Sequence, residues 1–549
     1  MAWQKLIRGL EFLLFFVKQN CEVVNLINHQ AIYPRSIMEI NSEATVTLVS
    51  LISLPILLAL LSRNRKSSSS PSSKKRRPPG PWNLPLIGSL LHLLRSQPQV
   101  ALRDLAVKYG PVMFLRTGQV DTVVVSSPAA AQEVFRDKDV TFASRPSILI
   151  SEIFCYGNLD IAFAPYGAYW RMLRKLCTVE LLSTKMVRQL APLRNDETLN
   201  LVRNIEAASG HGGGDGGKPV TIATLLTSCT NTITAKAAFG QACSSELQEQ
   251  FLTALDEALK FSNGFCFGDL FPSLRFIDAM TGLRSRLERL RRQLDNVYDK
   301  IVALCESHPS DSLVNVLLRI RDQGELEFPF GTTHVKAIIL DMFTGGTETT
   351  STSAEWVMSE LMRNPEVMAK AQAEVRRVLD NKSPQDHEGL LDDLRYMKMV
   401  IKETLRLNPV LPLLLPRVCR ETCEIGGYEV VEGTRVVVNA WAMARSPEYW
   451  DDAEKFVPER FEDGTADFNG SRFEYLPFGT GRRRCPGDIF GMATLELIVA
   501  RLLYYFDWSL PAGMQPNDVD MELVVGATAR RKNHLQLVAS PYKPVLMQR

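Results

Sequence analysis

The chain has 549 residues, of which 45% are hydrophobic and 23% are charged. These proportions are ordinary for a globular protein, so they exclude both wholesale disorder and a polytopic membrane protein. Lys and Arg total 63 against 61 for Asp and Glu, a formal net charge of +2. Such a balance gives no bulk electrostatic reason to expect a nucleic acid as a partner.

An apolar run at 44–61 is the first predicted element. As a helix it would extend about 27 Å at ~1.5 Å per residue, close to the ~30 Å hydrocarbon layer of a bilayer. Several Lys and Arg residues follow the run, whereas Glu39 and Glu43 precede it. Because cytosolic flanks of membrane helices are enriched in Lys and Arg, we predict an uncleaved signal anchor at 38–62 with the protein body in the cytosol.

The segments beside the anchor are predicted to lack a packed core. Residues 1–37 precede a candidate initiator, Met38, and are interpreted as an extension without a structural role; the alternative is a helix on the membrane surface. Residues 63–81 are basic and rich in Ser and Pro, which is typical of a linker that ends in a stiff elbow. We expect 82–541 to form the folded domain, with a short tail at 542–549.

Helical patterns dominate this domain. The stretch 365–379 begins with a proline after Asn364, a residue type that often caps helices, and predicts a helix. A long helix at 337–356 contains two glycines and adjacent threonines at 345–350, where we expect a local distortion. By contrast, 424–439 carries glycine turns and β-branched residues, which favours short strands. The predicted fold class is mostly α with a minor β region.

Two features are assigned no chemistry. The glycine-rich segment 210–217 has neither the preceding strand nor the following helix of a phosphate-binding loop, so we interpret it as a solvent loop. The ten cysteines show no paired CxxC spacing, which argues against a structural zinc site and a dense disulfide framework. Cys419 and Cys423 come closest to a pair, and we predict that they are isolated reduced thiols in a reducing compartment.

The loop from Phe478 to Gly487 carries the predicted chemistry. It reads Phe-Gly-Thr-Gly-Arg-Arg-Arg-Cys-Pro-Gly and leads into an apolar run that begins at Ile489. Glycines let backbone amides approach the sulfur of Cys485, a following helix favours an anion at its start, and three arginines add positive charge. Each of these features is expected to favour a thiolate over a thiol.

This loop resembles the F-x-x-G-x-R-x-C-x-G signature of cytochrome P450 enzymes at every fixed position. These positions are Phe478, Gly481, Arg483, Cys485 and Gly487. The resemblance implies the cytochrome P450 fold from about Pro78 to Pro541 and a haem b group (iron protoporphyrin IX), with Cys485 as the axial ligand of the iron. In this family the thiolate ligand pushes electron density onto the oxygen bound to iron, which favours O–O cleavage.

A second set of motifs follows the order found in the same family. Glu403 and Arg406 are three residues apart, so they share a helical face and can form an ion pair. With Arg460, in Pro-Glu-Arg-Phe, they resemble the family's Glu-Arg-Arg network, which implies a structural role behind the haem. Plant members often have His where this chain has Asn408, so we expect different local hydrogen bonding there.

The remaining motifs concern the cofactor and the protons. Trp170 and Arg174 resemble the family's W-x-x-x-R pair, and with Arg417 and Arg483 they are predicted to bind the haem propionates, because a planar guanidinium can hydrogen-bond a carboxylate twice.

Residues 345–350 match the family's A/G-G-x-D/E-T-T/S motif. Since reduced dioxygen needs two protons in a dry pocket, Glu348 is predicted as the acid and Thr349 as the hydroxyl relay.

The resemblance also implies partners. The sequence contains no flavin or nicotinamide domain, so electrons are expected from a membrane-bound NADPH–cytochrome P450 reductase, docked near the basic loop 482–484, with cytochrome b5 as an alternative donor. The anchor and the Pro-rich elbow resemble plant microsomal members, which implies a single-pass protein of the endoplasmic reticulum membrane with a cytosolic catalytic domain. Dioxygen and a lipophilic small molecule are the implied substrates.

More narrowly, the chain resembles grass enzymes that oxidise pimaradiene-type diterpene hydrocarbons, methyl to alcohol and further, in phytoalexin biosynthesis. Alternatives are another terpenoid or a phenylpropanoid substrate, a haem-thiolate isomerase or dehydratase that needs no O₂, and a non-catalytic haem sensor. The intact acid and hydroxyl pair favours the oxygenase. The segments predicted to line a lipophilic pocket are 147–159, 261–271, 338–345, 410–414 and 524–527.

Overall fold

The structure is a computed structural model that describes residues 76–93, 96–210, 218–240, 244–259, 266–464, 466–526 and 528–542. The predicted extension and signal anchor lie outside these ranges, as do most of the linker, the glycine-rich loop and the tail. Contacts divide the chain into one unit of Met1–Arg77 with Leu84–Ile87 and a second of Pro78–Asn83 with Gly88–Arg549. Within the described ranges, no helix is both long and apolar enough to cross a bilayer.

The second unit is mostly helical, as the sequence predicts. Its first helices are α1 (Leu90–Leu93), α2 (Pro98–Tyr109), α3 (Pro128–Gln132), α4 (Leu149–Phe154), α5 (Ala168–Leu176), α6 (Thr184–Gln189), α7 (Ala191–Ser209), α8 (Ile222–Phe239), α9 (Ser245–Leu259) and α10 (Phe267–Leu270). The later helices are α11 (Phe276–Met280), α12 (Leu283–Ser307), α13 (Leu313–Gln323), α14 (Thr332–Gly346), α15 (Glu348–Arg363), α16 (Pro365–Leu379), α17 (Arg395–Leu407), α18 (Ala440–Met443) and α19 (Asp488–Tyr505).

Short strands form the minor β region. They are β1 (Val112–Thr117), β2 (Val120–Val125), β3 (Val220–Thr221), β4 (Arg417–Val418), β5 (Cys423–Ile425), β6 (Tyr428–Val430), β7 (Arg435–Val438), β8 (Phe506–Ser509), β9 (Leu523–Val525), β10 (Ala529–Arg531) and β11 (Gln536–Pro541). The sheet orders are β1-β2-β7-β4, β3-β11-β8, β9-β10 and β5-β6. The strands predicted at 424–439 are confirmed by β5, β6 and β7.

The four-stranded sheet fixes the position of Arg417. In β2 the run of valines suits a strand, because β-branched side chains pack well on a pleated surface. Val123 in β2 lies opposite Val436 in the parallel strand β7, and both side chains are buried. On the other side of β7, Arg417 pairs with the same Val436 in antiparallel register. The backbone of this arginine is therefore held by a sheet, not by a mobile loop.

The largest hydrophobic cluster is built around α19. Most of its side chains are apolar, and Leu497, Ile498 and Leu502 are fully buried, which is the pattern of a helix that runs through the core. The same cluster contains side chains of α7, α8, α15, α16 and α17. The start of α19, just after Cys485, is thereby anchored by the core.

The sequence prediction of α16 is confirmed, although its cap differs from the expectation. The helix begins at Pro365, but the side chain of Asn364 makes no capping hydrogen bond. Instead its Nδ2 donates to the carbonyl of Glu360 at 2.8 Å. Asn408 donates from Nδ2 to the Oε1 atom of the same Glu360 at 2.7 Å, so this asparagine satisfies a buried carboxyl group.

The distortion predicted at 345–350 is confirmed. Helix α14 ends at Gly346, Thr347 has φ −95° and ψ −67°, and α15 starts at Glu348. The hydroxyl of Thr347 donates to the carbonyl of Phe343 at 2.7 Å, which replaces part of the lost helical hydrogen bonding. The break therefore places Glu348 in the first turn of a new helix, where the helix dipole favours a carboxylate.

A buried charge network joins α17 to the segment before the cysteine loop. Glu403 and Arg406 are fully buried and form two hydrogen bonds, Nε to Oε2 at 2.7 Å and Nη2 to Oε1 at 2.8 Å. Arg460 donates from Nε to Oε1 of Glu403 at 2.9 Å. The Nη1 atom of Arg406 also donates to the carbonyls of Ala444 and Ala453 at 2.6 and 2.7 Å. Arg406 thus connects α17 to two loops by hydrogen bonds.

We expect Arg406→Ala to lower the free energy of unfolding by about 3–5 kcal/mol, because it leaves the Glu403 carboxylate buried without its main partner. The matched control is Lys455→Ala, which removes an exposed pair of the same i,i+3 spacing with Asp452. Exposed pairs contribute about 0–1 kcal/mol. Urea or thermal unfolding of both variants measures the difference, and equal losses would contradict the structural role of Arg406.

Candidate functional site

The cysteine loop is shaped by glycines at two points. Gly479 and Gly481 have φ of +63° and +71°, a region that favours glycine. A Cβ atom on Gly481 would lie 2.5 Å from the carbonyl oxygen of Phe135, so no other residue fits there. The loop closes when the N–H of Cys485 donates to the carbonyl of Phe478 at 2.9 Å. Gly487 then precedes α19, and its N–H donates to the sulfur of Cys485.

The free thiol of Cys485 is harder to ionise than the sequence suggests. Burial raises its pKa to about 11, although the Gly487 amide and the charges of Arg174 and Arg484 act in the opposite direction. The side chain keeps some accessible surface, yet protein encloses it on enough sides for desolvation to dominate. The Gly487 amide and the arginine charges favour the thiolate, but burial, which the sequence pattern did not indicate, outweighs them in the unligated group.

The three arginines of the loop point in different directions. Arg482 is 45% exposed and donates to Oδ2 of Asp139 at 2.9 Å. Arg483 is buried, and Arg484 is paired with Asp488. Among the three, Arg482 is thus the most exposed, and the buried guanidinium of Arg483 is unable to contact a docked protein.

Two of the predicted propionate ligands lie in one cluster of positive charge. Burial and the nearby charge of Arg417 together lower the pKa of Arg483 to about 9. Burial also lowers the pKa of Arg417 to about 10. Arg145, which sequence reasoning missed, joins them: its pKa falls well below the ordinary value through burial and through the charges of Arg417 and Arg483. Three guanidinium groups therefore repel one another inside the protein.

Trp170 and Arg174 lie on α5 beside this cluster. Trp170 is buried, and the guanidinium of Arg483 lies 4.2 Å from the centre of its ring, a cation–π contact. Its Nε1 donates to the carbonyl of Ile161 at 3.0 Å. Arg174 is half-buried and donates from Nη1 to the carbonyl of Arg484 at 2.6 Å, next to Cys485. The structure thus brings these two residues to the cysteine loop.

The donor set fits an anionic, iron-bearing group such as haem. Asp139 is the carboxylate that faces Arg417, at 3.8 Å, and it is shared with Arg482. Asp160 faces Arg145 and Arg483, so in the described residues two carboxylates oppose the three guanidinium groups of the cluster and that of Arg482, and two propionate groups would balance the remainder. Cys485 supplies the thiol of the cysteine loop, and a metal that binds it would displace its proton. These residues match the cofactor that the cysteine signature implies.

The predicted proton-delivery residues lie at the break between α14 and α15. The Oε1 atom of Glu348 accepts a hydrogen bond from the hydroxyl of Thr528 at 2.7 Å. The hydroxyl of Thr349 donates to the carbonyl of Gly345 at 2.5 Å. Both side chains are half-buried, whereas Thr528 is buried. Thr528 precedes β10 and was not predicted, because 180 residues separate it from Glu348.

Two carboxyl groups meet beside the same break. The N–H of Ile161 donates to Oδ2 of Asp341 on α14 at 2.6 Å, and that of Phe163 donates to Oδ2 of Asp160 at 3.1 Å. Burial raises the pKa of Asp341 well above its ordinary value, and the charge of Asp160 raises it further. The Oδ1 atom of Asp160 is buried, and the Asp160 carboxyl has side-chain hydrogen bonds with Asp341 and with the thiol of Cys155, so it can accept the proton of Asp341.

The charged and titratable groups around this pair come from several elements. Arg145 and Arg483 face Asp160, and the phenol of Tyr169 faces both carboxyls. The thiols of Cys155 and Cys177 and the phenol of Tyr298 complete the surroundings. Burial raises the pKa of Asp160 to about 6. Sequence reasoning missed the pair; the available signal was a lone carboxyl in the apolar stretch of α14, one turn before Gly345.

The predicted pocket segments are only partly inside the described ranges. Phe265 and Ala527 lie outside them. Phe267 and Phe271 are buried and stack with ring centres 4.6 Å apart. Leu413 packs against a small hydrophobic cluster around α2 and β1, so it contributes to the core. The lipophilic character predicted for 266–271 thus agrees with the buried aromatic pair.

The chain is similar to proteins of known class over most of its length. The model of the family described as Cytochrome P450 matches residues 78–536. The rice (Oryza sativa subsp. japonica) protein 9-beta-pimara-7,15-diene oxidase is 86% identical over 511 residues, which cover 93% of this chain and 100% of that protein. Cytochrome P450 99A2, also of rice, is 83% identical, and the match covers 96% and 98% of the two chains. A zebra fish cytochrome P450 structure with progesterone shares the fold, with a TM-score of 0.70 at 24% identity over 81% of this chain and all of that one.

The buried carboxyl groups of Asp160 and Asp341 predict how the stability of the fold depends on pH. The folded protein keeps a proton on Asp160 and Asp341 that the unfolded chain releases near pH 4, so stability falls as pH rises from about 4 through the raised pKa, by about 1.4 kcal/mol per pH unit for each retained proton. Asp341→Asn has nearly the same shape, still accepts from the Ile161 amide and still donates to Asp160, but it does not titrate. We expect the wild type to lose stability relative to this variant between pH 4 and 7.

Thermal unfolding midpoints across that range measure the effect. Asp341→Ala is the second variant, and it should be less stable than Asp341→Asn at every pH because it leaves the Ile161 amide without its acceptor. A constant difference between the wild type and Asp341→Asn at all pH values would show that no proton is shared.

Proposed function

The chain belongs to the cytochrome P450 family, and we propose that its substrate is a pimaradiene-type diterpene hydrocarbon, oxidised at a methyl group to an alcohol and further. Membership makes it a haem-thiolate monooxygenase that uses O₂, electrons from a reductase and a lipophilic substrate. The substrate proposal rests on one observation, the 86% identity to a rice 9-beta-pimara-7,15-diene oxidase over the whole of that protein. A role in phytoalexin biosynthesis follows from this proposal.

We propose that haem b is held by Cys485 as the axial ligand of the iron. Arg145, Arg174, Arg417 and Arg483 are suited to bind its propionates, because their buried charges repel one another without an anion. When bound, the thiolate-ligated group supplies the activation of dioxygen. Phe478, Gly481 and Gly487 shape the loop that presents the sulfur. Trp170 packs on Arg483 and fixes its direction.

Glu348 and Thr349 are proposed to hold and move the protons that the reaction consumes. The overall balance is R–H + O₂ + NADPH + H⁺ → R–OH + H₂O + NADP⁺, so protons must reach a site from which water is otherwise excluded. The hydroxyl of Thr528 orients the carboxyl of Glu348, and the hydroxyl of Thr349 lies one residue further into α15. The helix break provides the room for both, because Gly345 and Gly346 add no side chains.

The remaining partners are proposals from the sequence. We propose that residues 38–62 anchor the protein once in the endoplasmic reticulum membrane and that 63–81 link this anchor to a cytosolic catalytic domain at 82–541. NADPH–cytochrome P450 reductase supplies the electrons, with cytochrome b5 as a second donor. Of the loop 482–484, Arg482 is the residue exposed enough to contribute to a docking surface, although it already pairs with Asp139.

We expect Cys485→Ala to abolish the Soret absorption and the reduced carbon monoxide difference spectrum of the purified protein, because the iron loses its protein ligand. The matched control is Cys266→Ala, a half-buried cysteine at the start of α10 that should leave both spectra unchanged. Absorption spectroscopy and haem quantitation measure the outcome. Retention of the wild-type spectrum by Cys485→Ala would disprove the assigned ligand.

The substrate proposal is tested with membranes that carry the protein and a reductase, incubated with a panel of terpenoid olefins and phenylpropanoids. We expect hydroxylated 9β-pimara-7,15-diene, detected by mass spectrometry, and no product when NADPH is omitted. Product without NADPH would indicate an isomerase or dehydratase. Turnover of other terpenoids or phenylpropanoids, with none of any diterpene, would overturn the substrate proposal and leave the family assignment intact.

A further inference from the structure

Two cysteines outside the candidate active site lie in contact. The Sγ atoms of Cys419 and Cys423 are 3.9 Å apart, on either side of a bend between β4 and β5. Both are free thiols, as predicted, and each lies in or beside a strand, but they are in contact and not isolated, because the bend brings the two sulfurs together. Neither cysteine takes part in the proposed haem site.

The two thiols differ in their surroundings. Cys419 is fully buried, and its sulfur lies 3.0 Å from the carbonyl oxygen of Glu421 and 3.7 Å from that of Val430. Cys423 is half-exposed, and its pKa is lowered by a hydrogen bond from Cys419 and by the ammonium group of Lys138. The pKa of Cys419 is raised by the same contact and by burial. Cys423 is thus the more nucleophilic and accessible sulfur, and Cys419 lies behind it.

The backbone around the pair is held unequally. Cys419 is fixed by two hydrogen bonds to the neighbouring chain, its N–H to the carbonyl of Thr434 at 2.9 Å and its carbonyl from the N–H of Gly433 at 2.8 Å. Cys423 lies at the edge of the two-stranded hairpin β5-β6, opposite Val430. Closing the sulfurs from 3.9 Å to the ~2.05 Å of a disulfide requires an approach of about 2 Å, which side-chain rotation together with a small backbone shift can provide.

We propose that Cys419 and Cys423 form a peroxide-sensitive dithiol that closes into an intramolecular disulfide. The thiolate of Cys423 attacks hydrogen peroxide, an S–O bond forms, the O–O bond breaks, and the departing hydroxide becomes water with the proton that Cys423 had released. The sulfur of Cys419 then attacks the sulfenic acid of Cys423, its proton leaves with the hydroxyl group as a second water, and the S–S bond forms. The sum is 2 R–SH + H₂O₂ → R–S–S–R + 2 H₂O.

The test uses the full-length holoenzyme in detergent, treated with increasing hydrogen peroxide. Thiols are then alkylated, the sample is reduced, and newly exposed thiols are alkylated with a heavy reagent before mass spectrometry. We expect Cys419 and Cys423 to become protected together, at a peroxide dose about ten-fold below that required for Cys266. Cys266 is the internal control because it is also half-buried, but burial raises its pKa to about 12.

Single substitutions separate the two steps. In Cys419→Ser, the reaction should stop at the sulfenic acid of Cys423, which dimedone traps; in Cys423→Ser, Cys419 should stay a free thiol at the same dose. The wild-type modification should reverse with dithiothreitol. Oxidation of Cys423 no faster than Cys266, or oxidation that leaves Cys419 open to the first alkylating reagent, would overturn the proposal. The readout is mass, so it does not depend on the substrate or on turnover.

Discussion

Buried charge on both sides of Cys485 is the constraint on which the rest of the structure depends. On one side, Glu403 and Arg406 are fully buried and satisfy each other, so they hold α17 against the loops that precede the cysteine. On the other, the guanidinium groups of Arg145, Arg417 and Arg483 face only two carboxylates among the described residues, those of Asp139 and Asp160. The first group is complete within the chain, whereas the second is completed by an anionic ligand.

Because of this contrast, the Glu403–Arg406 pair has a structural role, whereas the arginine cluster is suited to bind a ligand. A self-satisfied buried ion pair contributes specificity to the fold, because any other packing of α17 would leave Glu403 or Arg406 without a partner. A cluster of like charges costs free energy in the protein alone, so it favours the state in which a dianionic group is bound. The same reasoning applies to Cys485: burial opposes its ionisation, and a bound metal ion compensates for that cost.

Sequence patterns predicted the parts of the site that local geometry determines. The spacing of Glu403 and Arg406 allowed an ion pair on one face of a helix, and the glycines and threonines at 345–350 indicated a helix distortion before the structure located it. The glycines of the cysteine loop were predicted to let amides approach the sulfur, whereas the contact of Gly481 with Phe135 could not be seen in the sequence. Residues brought together by tertiary packing could not be found in this way. Asp160 and Asp341 are 181 positions apart, and Arg145 stands in a loop with no periodic pattern.

The thiol pair shows the same limit over a short distance. A separation of four residues fits a helical turn, an extended strand or a bent loop, and the sequence did not show that Cys419 and Cys423 lie in contact on either side of a bend. The path of the chain there depends on the pairing of β4 with β7 and of β5 with β6, which join residues far apart in sequence or in separate strands.

A single short segment connects the substrate side of the structure to the cofactor side. The amide of Ile161 donates to Asp341 on α14, while its carbonyl accepts from Trp170 and from Arg483 at 2.9 Å. The next carbonyl, of Ala162, accepts from Arg145 at 3.1 Å. Because one peptide segment satisfies groups on both sides, loss of the Asp341 contact changes the positions of acceptors on which the guanidinium cluster depends. Helix α14, which ends just before the proposed proton-delivery residues, and the arginines suited to hold the haem are thus parts of one hydrogen-bonded network, so a change in one alters the hydrogen bonding of the other.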